Sequence, residues 1–182
     1  MKKLILAAAV LCFFASCKDS TSTSTTDNSQ NEKNLENNKK VYKAIETGDA
    51  AVIDSLITSD AVDHQGPNGM VLKGTDSVRH MLKDMHSHMK DLKFDIIADA
   101  ANGDYIFTLS KFMGTCTDAS MGMPAGTKMD MTGVDVVKVK DGKMVEHWGF
   151  VDPNEMMKHM KEMPMANGKM ENKMESKDSM KK

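Results

Sequence analysis

The sequence is poor in aromatic residues and nearly balanced in charge. Its 182 residues include six phenylalanines, two tyrosines and one tryptophan, and the net charge is −2. Proteins that bind nucleic acids need a basic surface, commonly with interleaved aromatic side chains, and neither feature is present. We therefore expect no nucleic-acid partner. The sequence also lacks a phosphate-binding loop and any nucleophile motif.

Cysteine is equally scarce. Cys12 falls in an apolar leader, Cys17 follows that leader, and Cys116 is left alone in the rest of the chain. A single thiol cannot form an intrachain disulfide, so the fold must depend on its hydrophobic core. Cys116 fits a small packed residue better than a nucleophile. The cysteines and histidines lack the spacing of zinc ligands, so no metal site is predicted from them.

Residues 1–16 have the layout of a secretion signal. Two lysines precede an apolar run at 4–14, which is too short to span a bilayer, and two small residues follow it. The next residue, Cys17, makes the stretch resemble the lipobox of bacterial lipoproteins, in which the cysteine becomes the lipidated first residue. An ordinary secretion signal with a chance cysteine is the alternative. We expect a lipid anchor at Cys17 in the cell envelope. The outer membrane or cell surface is favoured because Lys18-Asp19 looks like a surface-export tag.

Two polar segments flank a single domain. Residues 17–33 contain no apolar side chain after the cysteine, which predicts a flexible tether. Residues 164–182 are low in complexity and rich in methionine and lysine, which predicts a disordered tail. The segment 34–163 between them has the usual size of one domain.

The first half of this domain reads as helical. Apolar residues three and four positions apart predict helices at 34–47, 50–58 and 75–90. Gly48 can end the first helix in the left-handed conformation, and Asp49 can cap the second. A strand or loop is predicted at 62–70.

The second half alternates apolar and polar residues, as strands do. Tight turns are predicted at Asn102-Gly103 and Asp141-Gly142, and Pro153 begins a short last helix. The order predicts an α+β domain. We expect a curved antiparallel sheet with three N-terminal helices packed on its concave face and a short C-terminal helix.

The Asp141-Gly142 turn predicts which residues share a face of the sheet. A two-residue loop places Lys140 opposite Lys143, and counting back places Asp135 opposite Trp148. One face then carries Asp135, Trp148, Phe150 and Asp152, and the other carries Val134, Val136, His147 and Gly149. Because Trp148 and Phe150 are large and apolar, we expect the first face to turn inward. Two carboxylates beside a tryptophan would suit general acid–base chemistry.

Simpler roles remain open for each polar candidate. Asp152 precedes Pro153 and could simply cap the last helix. Asp135 could pair with a lysine. His147 falls on the outer face by this register, which favours a hydrogen-bonded role over a catalytic one. His64 could be a polar pocket contact, a proton carrier or an exposed loop residue.

Several short sequence motifs resemble those of the SnoaL-like group of the nuclear transport factor 2-like superfamily. They are Gly48-Asp49, the stretch DHQGP at 63–67, Gly74, and the run from Asp135 to Trp148 that ends in Glu-His-Trp. The resemblance covers about 35–163. It implies a cone-shaped fold with a pocket at its open end and no cofactor. Together with the hairpin register, this gives the following candidate site residues: Asp152, Asp135 and His64 as polar or catalytic groups, and Trp148, Phe150, Tyr105 and His147 as ligand contacts.

The resemblance implies cofactor-free cyclase chemistry, in which an acidic residue near the His-Trp phrase shuttles a proton. Many members carry aspartate directly after the tryptophan, whereas this chain has Gly149. A polyketide cyclase also works beside its synthase in the cytoplasm, whereas this chain looks exported. We therefore expect a pocket for a small, largely apolar molecule, with cyclase- or isomerase-like activity left open. Sheets of this group often pair back to back, so a homodimer is also left open.

Nineteen methionines support an alternative. On the third helix, Met81, Met85 and His88 lie along one edge, and the last helix carries a similar set at Met156, His159, Met160 and Met163. Thioethers with imidazoles suit Cu(I) or Ag(I), so a metal-handling surface protein is the rival hypothesis. For the helices, methionine as a flexible core filler is the simpler explanation. The tail methionines at 165, 170, 174 and 180 have no core to fill.

Overall fold

The computed structural model describes residues 25–66, 70–74, 76–120 and 123–162. Within these ranges the helices are α1 (Thr25–Thr47), α2 (Ala50–Leu56), α3 (Ser77–His88) and α4 (Pro153–Glu162). The strands are β1 (Ile57–Asp63), β2 (Met89–Asn102), β3 (Tyr105–Cys116), β4 (Lys128–Lys140) and β5 (Lys143–Val151). No helix of the described part is long and apolar enough to cross a membrane. The leader with Cys17 and the tail 164–182 lie outside the described residues.

Helix α1 is longer than its apolar pattern predicts. It begins at Thr25 and not at Asn34, so residues 25–33, predicted as tether, are helical. The added turns are polar and are supported from within the helix, where the Gln30 amide donates to the Asn34 side chain at 3.0 Å. The apolar stripe used for the prediction detects only turns that pack on a core, and residues 25–33 carry no apolar side chain.

The junction between α1 and α2 confirms the local prediction. Gly48 has a φ of 71°, in the left-handed region that glycine tolerates best. The carboxylate of Asp49 accepts from the backbone N–H groups of Ala51 and Val52 at 3.1 and 3.2 Å. Helix α2 ends at Leu56, and β1 follows at once, five residues earlier than the strand or loop predicted from residue 62.

The five strands form one sheet in the order β1-β5-β4-β3-β2. Strands β2 to β5 are joined as antiparallel neighbours, as predicted, but β1 runs parallel to β5. The sheet is therefore mixed and not purely antiparallel. Register shifts interrupt three of the four strand pairs, and such bulges bend and twist a sheet.

The core lies between the sheet and helices α1 to α3. Ile53 of α2, Ile57 of β1 and Ile106 of β3 are almost fully buried there, together with Val78 of α3. Cys116 is 2% exposed and belongs to the same cluster, and burial raises the pKa of its thiol. Cys116 is thus a packed residue, as predicted. We refer below to the sheet face that packs on these helices as the inner face.

A bulge in β5 corrects the predicted facing of the β4–β5 hairpin. Lys140 pairs with Lys143 and Val139 with Met144, as predicted, but Lys138 then pairs with Glu146. Val145 is therefore an extra residue on β5, and every later residue is shifted by one. As a consequence, Trp148 and Phe150 lie on the outer face, and His147 and Gly149 lie on the inner face.

Candidate functional site

The inner face places an aspartate–histidine–aspartate array at the β1, β5 and β4 strands. Asp63 ends β1 beside His147 of β5, and Asp135 of β4 lies across from Gly149 of β5. His147 Nδ1 is 3.1 Å from Asp63 Oδ1, and His147 Nε2 is 3.2 Å from Asp135 Oδ1. Both ring nitrogens of His147 thus face carboxylate oxygens, an arrangement that suits a doubly protonated imidazolium.

Each carboxylate of the array has a second donor. The Tyr42 hydroxyl of α1 donates to Asp135 Oδ2 at 2.7 Å, and the Gln65 backbone N–H donates to Asp63 Oδ1 at 2.8 Å. The Asp63 side chain is 4% exposed, whereas those of His147 and Asp135 are each 24% exposed. Asp63 is therefore a buried support, and the His147–Asp135 pair is the more exposed part of the array.

The array sets the charge of His147. Burial by itself would lower the histidine pKa, but the hydrogen bonds and charges of Asp135 and Asp63 outweigh it and raise the pKa to about 9. Burial would raise the pKa of Asp63, but His147 and the Gln65 amide lower it below its usual range. Burial and the adjacent Asp135 raise the pKa of Tyr42, which stays a hydroxyl donor. At neutral pH the array therefore holds a cationic His147 between the two aspartate side chains.

Raising the pH from 7 to 10 is expected to lower the free energy of unfolding by about 2.5 kcal/mol through His147 alone. The folded pKa of about 9 lies above the unfolded value of about 6.5. The stabilisation is therefore complete below the unfolded pKa and is lost as pH rises through 9. Urea denaturation across this range measures it. A His147→Gln variant should lack the decline between the two pKa values, and an equal decline in that variant would contradict the assignment.

A row of aromatic rings and two buried hydroxyl residues adjoin the array at Tyr42. Tyr42, Phe94 and Phe112 form a row in which the ring centroids lie 5.0 and 5.3 Å apart. Thr108 and Ser110 of β3 are buried on the inner face beside Tyr42. Phe94 and Phe112 are half-buried and pack against the core only in part. The concave side near Asp135 is therefore apolar on one flank and hydrogen-bonding on the other.

Gly149 leaves space directly over the array. A Cβ at this position would lie 3.4 Å from Asp135 Oδ1 and 3.5 Å from His147 Cε1. An aspartate at 149, the residue expected from the resemblance, would bring a second carboxylate against Asp135. The chain therefore places one carboxylate at this location, and it comes from the neighbouring strand β4.

Asp152 and the predicted wall residues are not part of this array. Asp152 is exposed, and its carboxylate accepts from the Asn154 N–H at 2.7 Å at the start of α4, which is the capping role left open by the sequence. Phe150 is 54% exposed on the outer face, and Tyr105 and Phe107 are exposed there as well. A homodimer through this apolar outer face stays a prediction.

His64 also lies on the outer face, where it contacts the residue expected to line the pocket. Its ring stacks on Trp148 with centroids 4.5 Å apart and planes 1° apart. His64 Nε2 is 3.0 Å from Glu146 Oε2, and Glu146 Oε1 accepts from Lys138 at 2.9 Å. Of the predicted polar group, the array thus contains only Asp135, which meets the predicted ligand contact His147, while Asp152 and His64 lie elsewhere.

Tyr42 and Asp63 were not among the predicted site residues. Tyr42 counted only as an apolar position of the first helix, although a tyrosine on a buried stripe needs a partner for its hydroxyl. Asp63 belongs to the DHQGP motif, in which only His64 was predicted as a site residue. Alternation along β1 could have indicated that Asp63 and His64 point to opposite faces.

A recess lies further along the inner face, between α1, α2 and the β4–β5 turn. Its lining is mostly apolar, with three asparagines of α1 beside it: Asn34, Asn37, Asn38, Val41, Leu56, Ile106, Val137, Val139, Gly142 and Met144. Val137 lies two residues from Asp135 on the same face of β4. The recess is therefore bordered by buried core residues, one of which, Val137, lies close to the array.

In the part of the chain that the structure describes, the residues of the soft-metal hypothesis do not form a recognised metal site. Within residues 25–66, 70–74, 76–120 and 123–162, no group of three His, Cys, Asp or Glu side chains could hold a metal ion. Met85 packs against the core, and His88 Nδ1 is 2.8 Å from an Asp118 oxygen. Met156 is exposed, and the side chains of His159, Met160 and Met163 lie outside the described residues. Metal handling by the methionines stays a prediction.

Comparisons with known proteins agree with the architecture. The family model of the SnoaL-like polyketide cyclases matches residues 37–160. The solved structure of IdmH from Streptomyces antibioticus, a proposed polyketide cyclase, is 24% identical with a TM-score of 0.56 and covers 70% of this chain and 98% of its own. A proposed SnoaL-like polyketide cyclase from Jannaschia sp. CCS1 is 16% identical with a TM-score of 0.61, over 74% of this chain and 95% of its own.

The same fold carries other chemistry. An epoxide hydrolase of the LEH-like type from M. tuberculosis is 14% identical with a TM-score of 0.60, and the alignment covers 72% of this chain and 92% of that one. No curated protein matches the sequence. Likeness at these identities establishes the fold, and the family model, which spans most of the chain, establishes the family. This protein belongs to the SnoaL-like polyketide cyclase family.

Proposed function

We propose that this protein binds a small, largely apolar carbonyl compound on the concave side of its cone and moves a proton on it. The observation that carries the proposal is the partly exposed His147–Asp135 pair, held from behind by the buried Asp63 and the Tyr42 hydroxyl. The half-buried Phe94 and Phe112 supply the apolar contact surface. Active sites that transfer protons typically combine an apolar wall with a few fixed polar groups.

Asp135 is the proposed base. Its carboxylate takes a proton from the carbon next to a substrate carbonyl, which leaves an enolate and a protonated Asp135. In an isomerisation, Asp135 returns the proton to another carbon. In an aldol closure, the enolate carbon forms a bond to a second carbonyl carbon of the same molecule, and Asp135 protonates the resulting alkoxide. Neither sequence requires an oxidant, a reductant or a cofactor.

His147 and Tyr42 are the proposed stabilising groups. His147 is cationic at neutral pH because of its raised pKa, so it favours the negative charge that moves from Asp135 to the substrate oxygen. Its orientation depends on Asp63, which accepts from Nδ1 and leaves Nε2 directed at Asp135. Tyr42 contributes a neutral donor on the opposite side of the same carboxylate.

The proposal is tested with α-tetralone, a bicyclic aromatic ketone. Proton NMR in deuterated water follows exchange of the hydrogens next to its carbonyl, with tetralin, which lacks the carbonyl, as a matched binding control. Faster exchange with the protein than without it supports proton transfer. Binding of both compounds without faster exchange would reduce the protein to a binding module, and the absence of both binding and exchange would overturn the proposal.

We further propose that the protein is exported and held at the outer membrane or cell surface by lipid on Cys17. Support comes from the apolar leader and from the small residues before the cysteine. Cells fed an alkyne-labelled fatty acid are expected to label the wild-type protein, and a Cys17→Ser variant should lose the label and leave the membrane fraction. An unlabelled wild-type protein would contradict the anchor.

A further inference from the structure

The end of β1 positions Asp63, the buried carboxylate of the proposed site. As the edge strand, β1 pairs only with β5 among the strands, and a register shift separates its first pair, Ile57 with Met144, from its last two. Asp63 also forms an isolated bridge with Leu72. The N–H of Asp63 donates to the Leu72 carbonyl at 2.9 Å and its carbonyl accepts from Leu72 at 2.7 Å, so this bridge holds the Asp63 backbone on the side away from β5. The carboxylate of Asp63 must also stay within 3.1 Å of His147 Nδ1, on the β5 side.

Three outer-face side chains lie directly behind this strand end. The His64 N–H donates to the His147 carbonyl at 2.8 Å, which continues the parallel pairing by one residue. The His64 ring then stacks flat on Trp148 and reaches the Glu146 carboxylate at 3.0 Å. Successive residues of a strand point to opposite faces, so inner Asp63 and outer His64 belong to the same short stretch of backbone.

Along β1 and β5, the residues that form the outer contacts alternate with the residues that form the inner array. Val62 and Asp63 pair with Glu146 and His147, so Glu146 and Trp148 flank the histidine of the array along β5. Lys138 of β4 donates to the other oxygen of Glu146 at 2.9 Å, which fixes the carboxylate that His64 uses. The outer group thereby ties β1, β5 and β4 together, the same three strands that supply the array.

We infer that His64, Glu146 and Trp148 form an outer-face clamp that positions Asp63 against His147. They are positioning residues: none of them lies on the concave side, and each acts through the backbone of β1 or β5. The inference deepens the proposed function because it names what holds the proposed site in register. Its geometry can be tested without any substrate.

The test is the NMR titration of the His147 ring in the full mature chain, without ligand. The groups that face this ring are Asp63 and Asp135, with the Tyr42 hydroxyl on Asp135. Asp63→Asn shows how far the His147 titration moves when one carboxylate partner is lost completely. Trp148→Leu and Glu146→Gln are each expected to move the His147 titration in the same direction as Asp63→Asn, towards lower pH. Added to Asp63→Asn, Trp148→Leu should cause no further shift, because its effect passes through Asp63.

Two variants separate positioning from general damage. Trp148→Phe keeps an aromatic face for His64 and should restore the wild-type titration, and Phe150→Leu, on the same outer face, should leave it unchanged. Wild-type titration in both Trp148→Leu and Glu146→Gln would overturn the clamp, as would a full extra shift in the Asp63→Asn background. Because no substrate is used, a failed α-tetralone assay would leave this result standing.

Discussion

Replacing Asp135 by asparagine is expected to slow α-tetralone exchange by about 10²–10⁴-fold, the usual range for loss of a general base. The amide has nearly the shape of the carboxylate but cannot take the proton. It also directs an N–H₂ group at Tyr42 or His147, each of which already donates to Asp135. Affinity for tetralin should change little, because Asp135 contributes to the chemistry more than to the apolar contact.

Asp152→Asn is the matched control for this prediction. It removes the same charge from a carboxylate predicted from the sequence, but the residue is exposed and caps α4, so exchange should remain at the wild-type rate. The opposite pattern, with exchange lost in Asp152→Asn and kept in Asp135→Asn, would move the base to Asp152. It would also contradict the inner-face array as the reacting site.

Replacing His147 by leucine is expected to lower the free energy of unfolding by about 3–5 kcal/mol, the range for removing one partner of a buried ion pair. The Asp63 carboxylate is 4% exposed and would lose its cation while keeping only the Gln65 N–H. Leucine is similar in volume to histidine, so the loss reflects charge more than an empty space. Urea denaturation at pH 7 measures the difference.

Pairing this change with Asp63→Asn tests the cause. Once Asp63 is neutral, His147→Leu leaves no buried unpaired charge on that side, and the double variant should recover a large part of the lost stability. The loss in the single variant should also shrink at low pH, where an unpaired Asp63 takes up a proton. A single variant within about 1 kcal/mol of wild type would contradict a coupled array.

The general architecture could be predicted from local rules. Apolar periodicity located the helices and strands, and Gly48-Asp49 and the two tight turns occur where glycine and aspartate favour them. The main errors concern segments whose structure depends on distant partners. Helix α1 extends through a polar stretch, and β1 begins at Ile57 because that side chain is buried and paired with the distant Met144.

The candidate site was predicted only in part, because one extra residue in β5 moves every later residue of that strand to the opposite face of the sheet. A period-two count through Val145 places Trp148 inward and His147 outward, and the bulge exchanges them. Asp135 was predicted on the correct strand, but opposite Trp148 and not opposite Gly149, with which it pairs. Asp63 and Tyr42 could not be connected to it, since they lie 72 and 93 positions away in sequence and meet it only through the parallel β1–β5 pairing and the packing of α1.

The sequence by itself determined the α+β order and the residue types available for proton transfer, because composition, turns and periodicity act over a few residues. The tertiary structure alone decided which of those residues share the concave side. That choice follows from strand register, and register is set by how bulges and long-range packing bring distant segments together rather than by any local preference of the chain.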